Sequence, residues 1–366
     1  MKLRKITQLL TEIAPLSLQE SYDNAGLIVG KNNWEISGIL VCLDATEEVL
    51  DEAMENNCNL VIAHHPIVFK GLKQFNGKNY VERVVIKAIK NDIAIYAIHT
   101  NLDNVLHNGV NQKIAEKLGL SGLEILQRRP SDLLKLVTYV PKDNLKEVRE
   151  ALFDAGGGHI GNYDKCSFSS MGTGTFRAGE NADPHVGKKG NMHQESESRL
   201  ELVLPRHKQV SVVNALLKAH PYEEVAYDLL ELQNKSTLTG AGVVGELPEA
   251  LKKDDFLAHL KTSMQAHVVK YTHSERDVIK RVAVCGGSGS FLIHAARSSG
   301  ADAYVTSDIK YHEFFDGEND LMICDIGHYE SEQFTIELLG DFLSEKIPNF
   351  AVIFTKTVTN PVRYFY

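Results

Sequence analysis

The sequence predicts an α/β protein in which two similar α/β segments form one discontinuous domain, with a ferredoxin-like α+β domain inserted between them. Three observations support this prediction: strand and helix patterns alternate in the first third of the chain, the same alternation returns near the end, and the middle differs. Alternation of this kind is typical of parallel strands covered by helices. We place the three segments at residues 1–125, 126–236 and 237–366.

The first segment reads as three strands joined by helices. The strands are S-G-I-L-V-C-L-D, N-L-V-I-A-H-H and I-A-I-Y-A-I-H. Thr46 begins the first helix, with Glu47 and Glu48 in its first turn, and the second helix carries an apolar face from Val81 to Ile89. A threonine cap and helical apolar spacing both favour this assignment.

The other two segments follow in the same way. Near the end, R-V-A-V-C-G-G, D-A-Y-V-T-S-D, L-M-I-C-D-I-G and A-V-I-F-T-K-T-V alternate with helices. The middle segment has two β-α-β halves, with helices at 144–155 and 207–218, which predicts the ferredoxin-like insert. The stretch 156–197 between these halves is rich in Gly, Ser and Asn, and we predict a long flexible loop there.

Composition narrows the class of protein. The formal net charge is -9 and there is no block of basic residues, which argues against a nucleic-acid partner. Glu12 interrupts the apolar start, and no apolar stretch reaches the roughly 18 residues that span a bilayer, so we expect a cytoplasmic protein without a membrane partner. The five cysteines lack C-x-x-C spacing and are predicted to be reduced core residues.

Two adjacent histidines end the second predicted strand. His64 and His65 lie in an apolar run and precede Pro66, which ends the strand because it lacks a backbone N–H. A single histidine in a strand is usually a core residue, but an adjacent pair at this position favours ligands. The carboxyl ends of parallel strands are where open α/β sheets bind ligands.

Two further strand ends carry similar residues. His99 and Asp103 follow the third strand, although Asp103 could instead cap a turn and His99 could support a ligand rather than be one. His328 and Glu332 are four residues apart at the start of a helix, so they share a face. The alternative for this pair is a solvated first turn, where acidic residues are common.

These residues suggest a metal site. His64, His65, Asp103, His328 and Glu332 are nitrogen and oxygen donors that suit Zn, Fe, Mn or Ni, and their number favours two divalent ions over one. A pair of such ions lowers the pKa of bound water and stabilises both oxygens of a displacement. Metal identity stays open, because these ligand types accept several ions.

A glycine-rich turn is the candidate for phosphate binding. Gly286, Gly287, Ser288 and Gly289 lie between a strand and a helix, where free amides can hold a phosphate. The alternative is a tight βα turn. The segment 240–245 fits the G-x-G-x-x-G expression but lacks the strand and helix context, so we discount it.

Several short motifs together carry a family resemblance. S-Y-D-N-A-G-L, A-H-H-P, H-T-N-L-D, C-G-G-S-G, V-T-S-D and G-H-Y-E-S-E, in this order, resemble the Nif-three-like family (Ngg-one-interacting factor). Its bacterial members are often labelled type-two GTP cyclohydrolase I homologs. The resemblance implies that His65 and Asp103 hold one metal ion, that His64 and His328 hold the other, and that Glu332 bridges them. It also implies a homohexamer and a PII- or CutA-like insert.

The leading functional hypothesis is a metal-dependent hydrolase that acts on a small nucleotide-like molecule, such as GTP attacked at C8. Asp308, His99 and His312 are the candidate proton-transfer groups. The alternative is a non-catalytic regulatory or scaffold protein that binds metal and senses a metabolite through the insert, and metal storage is a third reading. Family membership alone does not fix a reaction.

Overall fold

A computed structural model describes residues 1–130 and 132–365 and divides the chain into two compact units. The larger unit consists of Met1–Arg128 and Leu238–Tyr366, and the smaller unit is Arg129–Thr237. No helix in the described ranges has the length and apolar character needed to cross a membrane.

The elements follow one another along the chain in three groups. The first group is α1 (Leu3–Ile13), β1 (Gly26–Val29), β2 (Ile39–Cys42), α2 (Glu47–Glu55), β3 (Leu60–Ala63), α3 (Tyr80–Lys90), β4 (Ala94–Ala97), α4 (Thr100–Asp103), α5 (Val110–Lys117) and β5 (Ser121–Arg128). The smaller unit contains β6 (Leu133–Pro141), α6 (Leu145–Asp154), β7 (Phe168–Arg177), β8 (Met192–Pro205), α7 (Gln209–Ala219) and β9 (Tyr227–Glu231). The last group is β10 (Gly240–Lys252), α8 (Lys253–Ser263), β11 (Lys270–Tyr271), β12 (Val278–Ser288), α9 (Ile293–Ser298), β13 (Ala303–Ser307), β14 (Met322–Asp325), α10 (His328–Glu332), α11 (Thr335–Lys346) and β15 (Val352–Phe354).

The larger unit is built on two mixed sheets. One has the order β1-β4-β3-β2-β15, in which only β1 runs antiparallel to its neighbour. The other has the order β11-β14-β13-β12-β10-β5, with β12, β13 and β14 parallel. The predicted parallel β-α-β arrangement is therefore confirmed for both ends of the chain, and antiparallel strands are added at the sheet edges.

Side-chain alternation assigns each face of a strand to a different core. In β2, Ile39 and Val41 belong to a core that residues of both sheets share with α1, α5 and α11. Leu40 and Cys42 face the opposite side, against α2 and α3. Burial of each of the three aliphatic side chains, Ile39, Leu40 and Val41, stabilises the fold by roughly 1.5–3 kcal/mol. The predicted cap is also present, because the Thr46 hydroxyl accepts a hydrogen bond from the Val49 amide at 3.3 Å.

The cysteines are reduced, and most of them pack as predicted. All five are free thiols, and the buried ones are Cys42, Cys58, Cys285 and Cys324. Cys42 and Cys324 are fully enclosed in apolar surroundings, where burial raises the pKa of the Cys42 thiol. These thiols therefore act as small apolar side chains.

The smaller unit has the element order β-α-β-β-α-β and a four-stranded antiparallel sheet, β7-β8-β6-β9. The predicted flexible loop over 156–197 is wrong in part, because β7 and the first residues of β8 lie within that stretch. Ten residues of β7 pair with β8, from Phe168 opposite Glu201 to Arg177 opposite Met192. The segment lacks apolar alternation because β7 is largely exposed on both faces.

The smaller unit leaves and re-enters the larger one through neighbouring strands. β5 and β10 pair in antiparallel fashion, with Arg128 opposite Gly240. The sequence places these boundaries at residues 125 and 236, a few residues from the observed division.

Candidate metal centre

Strand ends of the larger unit bring the predicted donor residues together. His64 and His65 follow β3, Asp103 ends α4 just beyond β4, and His328 and Glu332 begin and end α10 after β14. Donor atoms of three groups lie within 4.8 Å of one another. The groups are His64 with Asp103 and Glu332, His65 with His328 and Glu332, and His64 with His65 and His99.

His64 is fully buried and has one nitrogen without a hydrogen-bond partner. Its Nδ1 donates to the Ile98 carbonyl oxygen at 2.8 Å, so Nε2 carries the lone pair. That Nε2 lies 3.7 Å from Oδ1 of Asp103 and 3.7 Å from Oε1 of Glu332. Within the described ranges, His64 Nε2 and Asp103 Oδ1 are buried polar atoms without a hydrogen bond. Unpaired buried polar atoms are costly, and a shared cation would satisfy both of them.

His65 and His328 point their Nε2 atoms at the same carboxylate oxygen. Nε2 of His65 lies 2.9 Å and Nε2 of His328 lies 3.1 Å from Oε2 of Glu332, and the two nitrogens are 3.3 Å apart. Each histidine donates its Nδ1–H to a second carboxylate: Asp44 at 2.7 Å for His65, and Asp308 at 2.6 Å for His328. This carboxylate–histidine arrangement is the usual support of metal-bound histidines.

Glu332 lies at the centre of both groups, with 3% of its surface exposed. Its Oε1 faces His64, and its Oε2 faces the other two histidines. Gly287 makes this position available: its φ is +61°, and a Cβ there would overlap Oε1 of Glu332. The geometry thus suits a carboxylate that bridges two cations.

Two amides of the glycine-rich turn are used for this packing, which argues against a phosphate role for Gly286 and Gly287. The Gly286 amide donates to Oδ1 of Asn111 at 2.9 Å, and the Gly287 amide donates to Oγ of Ser331 at 2.9 Å. Gly286, Gly287 and Ser288 also belong to β12 rather than to a loop before a helix. Because the Gly286 and Gly287 amides already donate to protein oxygens, they are not free to hold a phosphate. A phosphate role for Ser288 and Gly289 stays a prediction.

Charge in this buried site shifts the pKa values of its members. Burial and the nearby charge of Glu332 raise the pKa of Asp103, whereas burial lowers the pKa of His64. Burial opposes protonation of the other two imidazoles, but hydrogen bonds to carboxylates raise the pKa of His65 to about 10 and that of His328 to about 11. The carboxylates therefore stabilise positive charge at the position where a cation would lie.

Comparison with known proteins identifies the family. The family model for Duf34/NIF3 (NGG1p interacting factor 3) matches residues 1–361. The chain belongs to the Duf34/NIF3 family. It is 38% identical to the "GTP cyclohydrolase 1 type 2 homolog" of Bacillus subtilis over 99% of this chain and 98% of that protein. It is 33% identical to the protein of the same name from Staphylococcus epidermidis, over all of both chains.

Solved structures agree with this assignment. The Bacillus cereus protein related to NIF3 superposes with a TM-score of 0.87 at 38% identity, covering 100% of this chain and 99% of that one. The Staphylococcus aureus protein SA1388 superposes with a TM-score of 0.78 at 32% identity, over 100% and 99% of the two chains. The family resemblance seen in the sequence is thereby confirmed.

The structure groups the five donor residues of this Duf34/NIF3 chain differently from the pairing that the resemblance implies. It brings His64 next to Asp103 and His65 next to His328, with Glu332 common to both. The reason is that β3 ends at Ala63, so the two adjacent imidazoles lie in different directions, with ring centroids 5.0 Å apart. His64 therefore approaches Asp103, and His65 approaches His328.

The three predicted proton-transfer residues lie in different environments. Asp308 accepts from Nδ1 of His328, so it orients a donor residue. His99 lies beside the cluster, with its ring 5.3 Å from those of His64 and His65. His312 is exposed, and its ring contacts Tyr311 and Phe315.

No hydrogen bond or ring contact in the described part of the chain joins His312 to the histidine cluster. The structure therefore brings His99 and Asp308 to the site and leaves His312 on the surface.

Two functional residues were missed in the sequence. Asp23 accepts a hydrogen bond from His99 Nδ1 at 2.8 Å and from the amide and hydroxyl of Thr100. Burial opposes ionisation, but these hydrogen bonds lower the pKa of Asp23 to about 2. Asp44, which holds His65, follows β2 at the same edge as the other strand ends, and that position was the available signal.

Proposed function

We propose that this Duf34/NIF3 chain is a metal-dependent hydrolase with two divalent ions of Zn, Fe, Mn or Ni. The observation that carries the proposal is the pair of unpaired buried atoms, His64 Nε2 and Asp103 Oδ1, which lie 3.7 Å apart and form a group of possible ligands with Glu332. One ion would lie among these three residues, and the second among His65, His328 and Oε2 of Glu332. A pair of bound ions supplies Lewis acidity and lowers the pKa of bound water.

His99 is the residue of this chain best placed to move a proton at the centre. Nδ1 of His99 is occupied by Asp23, which holds the imidazole in one orientation and leaves Nε2 as the acceptor. Its donor atoms lie within 4.8 Å of those of His64 and His65. A positioned imidazole supported by a carboxylate is the usual form of a general base.

Aromatic side chains beside His99 support a planar substrate such as a nucleobase. The Phe69 ring lies 6.3 Å from the His99 ring and 6.1 Å from the Tyr22 ring. Phe69 and Tyr22 are 45% and 62% exposed, so both rings are available for stacking. The relatives' name, "GTP cyclohydrolase 1 type 2 homolog", agrees with a guanine nucleotide as the first substrate to test.

The test has a metal step and an activity step. Elemental analysis should give about two ions per chain for the wild type, and fewer for His64→Ala and Glu332→Ala. The metal-loaded wild type should then hydrolyse GTP or another nucleotide faster than Glu332→Ala does, while Phe69→Ala should raise KM without loss of metal. Absence of metal from supplemented wild type, or equal turnover by wild type and Glu332→Ala, would refute the proposal.

A non-catalytic regulatory protein is the second candidate. The observation that favours it is a separate cavity in the smaller unit, which has the β-α-β-β-α-β order of a ferredoxin-like fold, as PII-like domains do. This candidate function predicts that the protein binds metal and a metabolite without turnover. A homohexamer and a cytoplasmic location are further parts of the proposal, testable by light scattering and by cell fractionation.

A further inference from the structure

The smaller unit contains a cavity of about 730 Å³. The cavity is lined by residues of β7, of the segment that follows β7 and of the region around Tyr222. Cavities of this size bind small organic molecules, whereas an ion needs far less space. All of the lining residues lie in the smaller unit, so the cavity is separate from the metal centre.

Two glycines leave one face of β7 open. Gly172 and Gly174 are two residues apart in the strand, so they share a face. A Cβ at Gly172 would meet no atom within 4 Å, whereas a Cβ at Gly174 would overlap the carboxylate of Glu197. The cavity can therefore reach Glu197 because these positions have no side chains.

Glu197 is a buried carboxylate whose hydrogen bonding is incomplete. It retains 8% exposure, and its Oε1 accepts a hydrogen bond from the Tyr222 hydroxyl at 2.9 Å. Over the ranges that the structure describes, its Oε2 accepts no hydrogen bond and it forms no ion pair. Arg199, two residues further along β8, pairs instead with Glu201 at 2.9 Å. Because Glu197 lines the cavity and its Oε2 is free to accept, a ligand that presents N–H groups would form charge-assisted hydrogen bonds to it.

Aromatic rings form a wall beside this carboxylate. The Tyr222 ring lies 6.2 Å from Phe176 and 6.1 Å from His185. Burial and then the hydrogen bond to Glu197 raise the pKa of Tyr222, so its hydroxyl stays protonated and donates. Aromatic faces favour flat rings and cations, and both preferences agree with an N–H donor group.

We propose that this cavity binds a planar nitrogen base that carries two N–H donors on one edge. The donor edge pairs with Oε2 of Glu197, and the ring stacks on Tyr222. Amidines and 2-amino heterocycles such as guanine share this edge. The site is independent of the metal centre and of the hydrolase proposal.

The test measures binding to the full-length, metal-loaded protein by calorimetry. Benzamidine represents the cationic form of the donor edge, with benzoate as the control of the same shape and opposite charge. Guanosine represents the neutral form, with adenosine as the control whose corresponding edge contains an acceptor. Each experiment is repeated with Glu197→Gln and with Glu195→Gln, because Glu195 lies two residues away on β8 and does not line the cavity.

We expect benzamidine or guanosine to bind while benzoate and adenosine do not. Glu197→Gln should weaken binding by at least about tenfold, because a charge-assisted hydrogen bond is lost, and Glu195→Gln should leave it unchanged. Gly174→Ala should also weaken binding, since its methyl group would displace the carboxylate that it overlaps without removing the charge. Glu332→Ala should retain full binding.

Three results would overturn the inference. The first is that neither benzamidine nor guanosine binds at about 1 mM, which corresponds to only about 4 kcal/mol of binding free energy. The second is equal binding to wild type and Glu197→Gln. The third is binding that Glu332→Ala abolishes and Glu197→Gln does not, which would place the ligand at the metal centre.

Discussion

Replacing Gly287 by alanine should separate backbone strain from loss of metal binding. Gly287 has φ +61°, a conformation that costs other residues about 1–2 kcal/mol. Its new methyl group would also overlap Oε1 of Glu332, which is buried against the histidines and cannot move away freely. Gly300→Ala is the matched control, because Gly300 has φ +74° and a Cβ there meets no atom within 4 Å.

The two variants should respond differently to metal. In chelator, both should lose at least about 1–2 kcal/mol of unfolding free energy, and Gly287→Ala should lose more, because its methyl group overlaps Oε1 of Glu332 with or without metal. At a metal concentration of about 100 times the wild-type Kd, one bound ion adds about 2.7 kcal/mol to the stability of wild type and Gly300→Ala. If Gly287→Ala weakens binding about 100-fold, the same concentration adds only about 0.4 kcal/mol to it.

Denaturant unfolding with and without metal measures these differences. The expected difference between the two alanine variants in their stabilisation by metal is about 2.3 kcal/mol, from the two values above. Equal stabilisation of Gly287→Ala and Gly300→Ala by metal would refute the assignment of Glu332 as a shared ligand.

Three further predictions concern other contacts. Asp44→Asn should lower metal affinity about 10- to 100-fold without unfolding the protein, because His65 loses its carboxylate partner. Competition with a chromogenic chelator measures the affinity, and an unchanged value would contradict the prediction. Asn111→Ala should lower the free energy of unfolding, measured by thermal denaturation, by roughly 1–3 kcal/mol, because Asn111 is buried and joins the Gly286 amide to the Asp103 carbonyl. A loss below about 0.5 kcal/mol would count against this role of Asn111. In the smaller unit, burial lowers the pKa of His220, so its stabilising contribution is present above the unfolded pKa of about 6.5 and is lost as pH falls through the lower folded pKa. Hydrogen exchange should show that protection of α7 weakens between pH 7 and 5, and that it weakens less in His220→Gln. Equal pH dependence in the two proteins would exclude His220 as the cause.

The donor residues were predictable because each lies close in sequence to the end of a strand. His64 and His65 follow β3, and His328 follows β14, each after a buried apolar run. The parallel order explains why the ends of β3 and β4 lie together, but β14 belongs to the other sheet, so the approach of His328 depends on how the two sheets pack. The grouping of His64 with Asp103 was not predictable, because it depends on the direction each imidazole takes after β3 ends. That direction is set by Nδ1 contacts with Ile98 and Asp44, which are distant in sequence.

Two other features were hidden for related reasons. Asp23 acts through His99, 76 residues away, so its loop sequence alone shows only turn-forming residues. The sequence predicts a loop for the β7–β8 hairpin because β7 consists mainly of small and polar residues exposed on both faces. Its pairing depends on the long partner β8, and this long-range pairing leaves no periodic signal in β7 itself.

The pairing of β5 with β10 makes the smaller unit equivalent, in topology, to the loop of an enlarged hairpin. Arg128 and Gly240 face each other across that pair, so a tight turn between them could replace the whole unit and keep every strand pair of the remaining sheet. A chain shortened in this way would retain all the donor residues of the metal centre. The metal centre and the cavity of the smaller unit could thus be gained or lost separately during evolution.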